Sequence, residues 1–360
     1  MALAGGLVAL LAILIGMRAR QCSTSLQQLA PLNVPPRDLK VTAGIKDYAR
    51  PQEDTFLTYP EWYIVWSYQE KSDFQQNHLP SGFPYFSEIV QYWQAYCFAN
   101  GIVAGRYAFN AGDHLMLIVI GSSFSVEYAL KGLYEKTIGR LSEWASGGIP
   151  VEEDLYAARV AKEYAEFVHI RPFYEFTFSR SLRGLWNENG WWGPHALRKW
   201  ERKAFLSVDY AVEAIYCWLI TEATHAVYGV ESADTYAWLE NAPDDVFAEN
   251  PRMRRVKKAG PNSEIVIIPR YQEFTDTAER LAKAGVSFAD IAGNGEILLT
   301  AIVPAGAVYE VHSSQVLFST EIPTQPDHKR VAVRCSVTEL NAVLSIIAGR
   351  GWSIEHIYDY

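Results

Sequence analysis

The chain has 360 residues, 49% of them apolar and 20% charged, with a net charge of −9. That balance suits roughly two packed domains and excludes long disorder. The acidic excess would be repelled by phosphate backbones, which argues against a nucleic-acid partner.

Met1 to Met17 (MALAGGLVALLAILIGM) holds no charged side chain, and Arg18 and Arg20 follow at once. A helix rising about 1.5 Å per residue covers roughly 25 Å of a ~30 Å bilayer core over this run. With the two arginine stems snorkelling, residues 1–20 read as a single-pass transmembrane anchor, and the membrane as a partner through that helix. No A-x-A cleavage pattern follows, and Arg20 and Gln21 precede Cys22 where a lipidated cysteine would have small residues. The arginines lie after the span, which places the body in the cytoplasm. Four cysteines without C-x-x-C spacing predict neither a zinc site nor a disulfide framework.

Residues 21–55 read as an extended connector, because Pro31, Pro35, Pro36 and Pro51 prevent a continuous helix. Residues 56–240 read as an aromatic-rich, mainly helical domain. Its rings cluster at 59–68, 83–98 and 186–200, a pattern that fits core packing better than an aromatic belt, since a carboxylate or proline interrupts each cluster. One short helix is expected from Ser87, its N-cap, to Phe98. A second runs from Leu115 to about Leu141; its twelve uncharged residues are too few to span a bilayer, so it is expected in the core. A third, from Glu152 to His169, places Leu155, Ala158, Ala161, Ala165 and Val168 on one side. A fourth, from Lys203 to Tyr228, is apolar nearly all round. Glu213 and Glu222 point to opposite sides of it, which favours the central helix of a soluble bundle.

Residues 241–263 read as a linker, with Arg252, Arg254, Arg255, Lys257 and Lys258 on a solvated loop. From 264 to 360 the order β-α-β-β-β-β-α-β resembles a ferredoxin-like α+β domain with one extra hairpin. Gly285 reads as a helix C′ residue, Gly293-Asn294-Gly295 as a hairpin turn, and Leu340, Val343, Leu344 and Ile347 as a buried helix face. The expected class is therefore α+β: an anchor, a helical domain and a ferredoxin-like domain.

Four segments, TYPEWYIV from Thr58, IGSSFSVE from Ile120, RKWER from Arg198 and the terminal EHIYDY from Glu355, resemble an uncharacterised family of bacterial membrane-associated proteins. The resemblance implies membrane association and carries no activity, so no residue inherits a catalytic role.

The one constellation with chemical content is a pair of Glu-x-x-His units, Glu166/His169 and Glu222/His225. Di-iron bundles use two such units, one Glu-x-x-His on each of two helices, plus a glutamate from each of two more. Glu127 supplies one candidate, and no fourth helix supplies the other. Iron or manganese is thus an alternative to having no cofactor at all. Nucleotide-binding, zincin and serine-hydrolase signatures are absent from the sequence. A non-catalytic, membrane-tethered binding or scaffolding protein is the leading expectation, its protein partner unknown. A helical-bundle carboxylate metalloprotein is the other, and the sequence leaves open whether the chain is an enzyme.

Overall fold

The computed structural model describes residue 29 and residues 31–35, 39–227 and 233–360. The anchor expected at 1–20 lies outside the described residues, and so does the side chain of His225. The class is α+β, with a helical region and two antiparallel sheets. One unit takes in the described residues up to 60, residues 93–114 and those from 233 onward. The other takes in 61–92 and 115–227.

The helices are α1 (Asp54–Gln75), α2 (Tyr85–Val103), α3 (Ala111–Tyr134), α4 (Arg140–Ala145), α5 (Glu152–Val168), α6 (Phe178–Glu188) and α7 (Ala196–Val227). The expected second helix is interrupted by a π turn, Glu135–Gly139, between α3 and α4. Gly139 has no Cβ, and the Glu135 carboxylate occupies that space.

In α5 the Asp154 carboxylate accepts the backbone N–H of Val151 (3.1 Å), closing the first turn. The buried face of α5 keeps Ala158 and Ala165 of the expected set and departs from it at Leu155. Leu155 is exposed, while Glu153, Asp154, Tyr156, Ala157 and Val160 turn inward. The cause is α7, whose first turns carry Arg198, Lys199, Arg202 and Lys203, all buried. Lys203 reaches Glu153 at 3.1 Å and Arg198 reaches Asp154 at 2.7 Å, so paired charge takes a place on the inward face of α5 beside Ala158 and Ala165.

The expectation of buried core helices fails for α7 and in part for α3. Within Ala111–Ala145 the most apolar stretch is 39% buried, and within Ala196–Glu222 only 17%. Both are long and apolar enough to cross a membrane by length and composition alone.

The sheet unit holds β1 (Asp234–Glu240), α8 (Asp244–Glu249), β2 (Arg254–Gly260), β3 (Ser263–Pro269), α9 (Gln272–Lys283), β4 (Ser287–Ile291), β5 (Glu296–Pro304), β6 (Ser314–Glu321), β7 (His328–Ser336), α10 (Leu340–Gly349) and β8 (Ser353–Tyr358). The strands form two sheets, β2-β3-β1-β4 and β6-β7-β5-β8. β1 and β2 fall in stretches expected to be helical domain and linker. β2 is an exposed edge whose Arg254, Arg255, Lys257 and Lys258 hide the apolar alternation of a strand while protecting that edge from further pairing.

The two sheets repeat one topology. Each is β-β-β-α-β, the first with the short α8 inserted between its first two strands, and in each the third strand lies beside the first and the fourth on the first strand's other side. The sequence carries the echo: Gly285-x-Ser287 ending in Ile291 matches Gly351-x-Ser353 ending in Ile357. Both glycines have positive φ, +76° and +69°, as a helix C′ position requires. Phe274, Ala278 and Leu281 of α9 correspond to Leu340, Leu344 and Ile347 of α10, and all six are buried. Each helix also packs on the other repeat's last strand, α9 on β8 and α10 on β4. Thr275 accepts the Ile357 N–H at 2.9 Å, and its counterpart Asn341 donates to the Val286 carbonyl at 2.9 Å. One core therefore serves both repeats.

Gly293-Asn294-Gly295 does not close a hairpin. β4 and β5 belong to different sheets, and this turn joins the repeats. Gly293 is held by Asp290, whose Oδ1 accepts both the Gly293 N–H (2.8 Å) and the Tyr48 hydroxyl (2.8 Å). The stretch expected as an extended connector holds a short helix, Leu39–Thr42, and its later residues bond here: Arg50 donates to the Tyr360 carbonyl (2.7 Å) and Gln52 to the Glu296 carbonyl (2.7 Å). Cys217 and Cys335 are buried free thiols, whereas Cys97 is disulfide-bonded, which the cysteine spacing did not foretell.

Candidate functional site

The helical unit encloses a cavity of about 60 Å³. At ~15 Å³ for each water that is space for about four waters, or a solute of similar size. Its wall is unusual in being built largely of charge and tyrosine. Tyr68 and Lys71 come from α1, Tyr85 from the start of α2, Glu127 and Lys131 from α3, Tyr164 from α5, and Arg202, Asp209 and Glu213 from α7. Helical spacing explains the set. Residues 127 and 131 are one turn apart on α3, and 202, 209 and 213 follow steps of seven and four on α7, so each helix turns one polar stripe inward.

Lys131 is the hub. Its ammonium lies 2.8 Å from Glu127, 2.9 Å from Asp209 and 3.1 Å from Glu213, so its three N–H donors meet three carboxylates. Tyr68 donates to the other oxygen of Glu127 at 2.8 Å. Deeper in, Arg202 pairs with Glu135 at 2.7 Å and with Asp154 at 3.3 Å. Three carboxylates share one ammonium at the hub, an acidic excess that burial limits by pushing Glu213 up to about 7 against the pull of Lys131.

Lys71 stands apart. Among the described residues it has no carboxylate within ion-pair distance and donates no compensating hydrogen bond; its Nζ lies 5.9 Å from the Tyr85 ring centre and 5.7 Å from that of Tyr128. Burial holds its pKa below the ordinary lysine value, and repulsion from Lys131 adds to this, against the pull of Asp209, Glu127 and Glu213. Burial likewise raises the Tyr68 phenol, with Glu127 beside it adding to the effect.

The residues singled out by sequence are dispersed. Glu166 is exposed and only 3.9 Å from Lys162, an i, i+4 surface contact. His169 points its Nδ1 at the Ala165 carbonyl (2.7 Å) and packs on Trp66 with ring centres 5.2 Å apart. Glu222 is exposed, and among the described members of this set Glu127 alone sits on the cavity wall. Among the described residues no group of three His, Cys, Asp or Glu is placed to hold a metal ion. The acid and base near the C-terminus are separated, as alternation along a strand requires. Arg330 grips Glu355 through two bonds (2.6 and 2.7 Å), while His356 contacts Thr275 at 3.2 Å.

Sequence reasoning passed over Lys71, Lys131, Asp209 and Glu213. The available signal was a sparse set of charges at turn spacing inside otherwise apolar helices. No family model, curated protein or solved structure matches the chain. The site must therefore be read from its own chemistry.

Proposed function

We propose that this is a membrane-bound binding protein, of the kind the resemblance to bacterial membrane-associated proteins implies, and that the charged cavity is its ligand site. Residues 1–20 serve as its anchor. The observation that carries the reading is the pairing of Lys71, an ammonium with no anionic partner, with the accessible carboxylates of Asp209 and Glu213 across one small cavity. Burying a charge without a partner costs several kcal/mol, and proteins keep such a residue where a ligand completes it. A solute that suits this wall carries an acceptor for Lys71 and an ammonium for the carboxylates, in about five heavy atoms. That description fits a small zwitterion of the size of glycine.

Glycine, acetate and methylammonium serve as probes on the detergent-solubilised full chain, read by calorimetry and thermal shift. Glycine is expected to bind and raise Tm, each half-ligand to bind more weakly. At a hundredfold excess over Kd the stabilisation is about 2.7 kcal/mol. Lys71→Met is expected to abolish binding while leaving the protein as stable or more so, because a half-buried ammonium without an anionic partner is removed. If glycine does not bind, or Lys71→Met binds it as well as the parent chain does, the cavity is a structural charge cluster and the proposal fails.

Orientation is open to the same kind of test. The arginines after the apolar run favour a cytoplasmic body, whereas a disulfide at Cys97 favours an oxidising compartment. A reporter fused after Tyr360, active only outside the cytoplasm, distinguishes them.

A further inference from the structure

The outward sides of the helices around the cavity differ in kind. On α7, Val208, Val212, Ile215 and Leu219 follow steps of four, three and four, and each is more than half exposed. On α3, Leu130 and Leu133 extend the same character, both 52% exposed. The two helices run antiparallel: Ser123 meets Tyr216 at 3.2 Å, Lys131 meets Asp209 and Glu213, and Tyr134 meets Glu201 at 2.7 Å. Their stripes therefore lie side by side as one apolar face. Single exposed apolar residues are ordinary on a soluble protein, whereas a contiguous face on two long helices is not.

Exposed indoles mark the rim. Trp144, 80% exposed, lies in α4, two residues past Ser142, whose hydroxyl Arg198 holds at 2.8 Å. Trp192, 79% exposed, precedes the start of α7 at the same end. Trp218, 60% exposed, lies toward the other end of α7. Indoles at the edge of an apolar face are what a headgroup layer selects, because the ring is amphipathic.

The charges on α5 decide how deep such a face can sit. Arg159, Lys162 and Glu166 point away from the cavity and are exposed, with Lys162 and Glu166 side chains 62% and 65% accessible. If the whole bundle crossed a bilayer, these groups would enter hydrocarbon at about 2.5–3.5 kcal/mol each. Immersion of the α3–α7 face alone leaves them in water.

We propose that the α3–α7 face of the helical unit is a membrane-docking surface whose occupant is the acyl layer of a single leaflet, entered to the ~5–10 Å typical of interfacial helices. This makes the body of the protein monotopic as well as anchored: the face lies in the membrane plane, and the cavity sits just above the acyl layer. The inference is independent of the ligand reading, since it rests on the outside of the same helices.

The test uses the full chain in phosphatidylcholine vesicles, with and without brominated acyl chains. A bimane fluorophore is attached at Val212→Cys or, as a second variant, Ile215→Cys, and at Lys162→Cys as the water-facing control. Brominated chains are expected to remove most of the emission at 212 and 215 and to leave that at 162 unchanged. Equal, weak quenching at all three sites overturns the proposal. So does unquenched emission at 212 accompanied by cross-linking to a second copy, which would assign the face to self-association. Strong quenching at 162 as well would mean that the bundle spans the bilayer, and would overturn the single-leaflet geometry.

Discussion

Leu281→Ala and Ile347→Ala probe whether the two β-β-β-α-β repeats share one core. The residues occupy equivalent positions on α9 and α10, and neither has any accessible surface. Truncating a fully buried Leu or Ile to Ala costs about 2–5 kcal/mol, the lost transfer energy plus that of the cavity left behind. At 1.4 kcal/mol for each factor of ten, that is roughly a 30-fold to 4,000-fold rise in the open population. Because α9 packs on β8 and α10 on β4, damage to either helix must be felt in both sheets. Hydrogen exchange read by mass spectrometry on the full chain follows residues 264–291 and 330–358 separately. Both variants are expected to accelerate exchange in both segments by similar factors. Acceleration confined to 330–358 in Ile347→Ala, with 264–291 still protected, would show that the repeats fold separately and that the crossed packing does not couple them.

Gly121→Ala should destabilise the helical unit by about 1–3 kcal/mol, because the new methyl would enter the ring of the fully buried Tyr92, whose hydroxyl is tied to the Leu117 carbonyl at 2.6 Å. A Tm that is unchanged or raised, as helix propensity alone would give, contradicts this packing. The sheet unit should lose stability as pH rises. Burial pushes Asp359 up to about 6, outweighing Arg270, and burial with Asp113 and Glu53 pushes Asp54 up to about 7. Both folded values exceed the unfolded one, so their contribution is complete below about pH 4 and lost as pH climbs through 6 and 7. Relative to the parent chain, Asp54→Asn should therefore gain stability between pH 5 and pH 8; a difference that does not change with pH refutes the assignment. Alkylation of the denatured, unreduced protein should modify Cys217 and Cys335 and spare Cys97; modification of Cys97 would remove the case for an oxidising compartment.

Local rules written into the chain determined its α+β class, most helix positions, the positive-φ stop at Gly285 and the buried face of α10 at Leu340, Val343, Leu344 and Ile347. These depend on spacing over one or two turns, which sequence displays directly. What only tertiary structure decided was everything that joins distant residues. The Gly293-Asn294-Gly295 turn has hairpin chemistry, yet β4 pairs with β1 and β5 with β7 and β8, because ladder partners are chosen by packing across the core and not by the turn. The strand β2 was hidden by its own lysines and arginines, which edge strands use as protection. The duplication was masked because its two copies keep the same backbone topology while sharing few side chains.

The cavity shows the same division. Glu127, Lys131, Asp209 and Glu213 stand at helical intervals in the sequence, but spacing fixes only that charges share a stripe, not which stripe turns inward. On α3 and α7 an apolar stripe faces outward, while charged groups turn inward beside buried Leu117, Phe124, Leu206 and Tyr210, a departure from the soluble pattern from which burial was expected. On α5 Ala158 and Ala165 turn inward as spacing implies, while Glu153 and Asp154 join them opposite the buried cations of α7 and Leu155 turns out. Each outcome turns on the energy of pairing charge with charge across separate helices, a quantity that exists only once those helices have met.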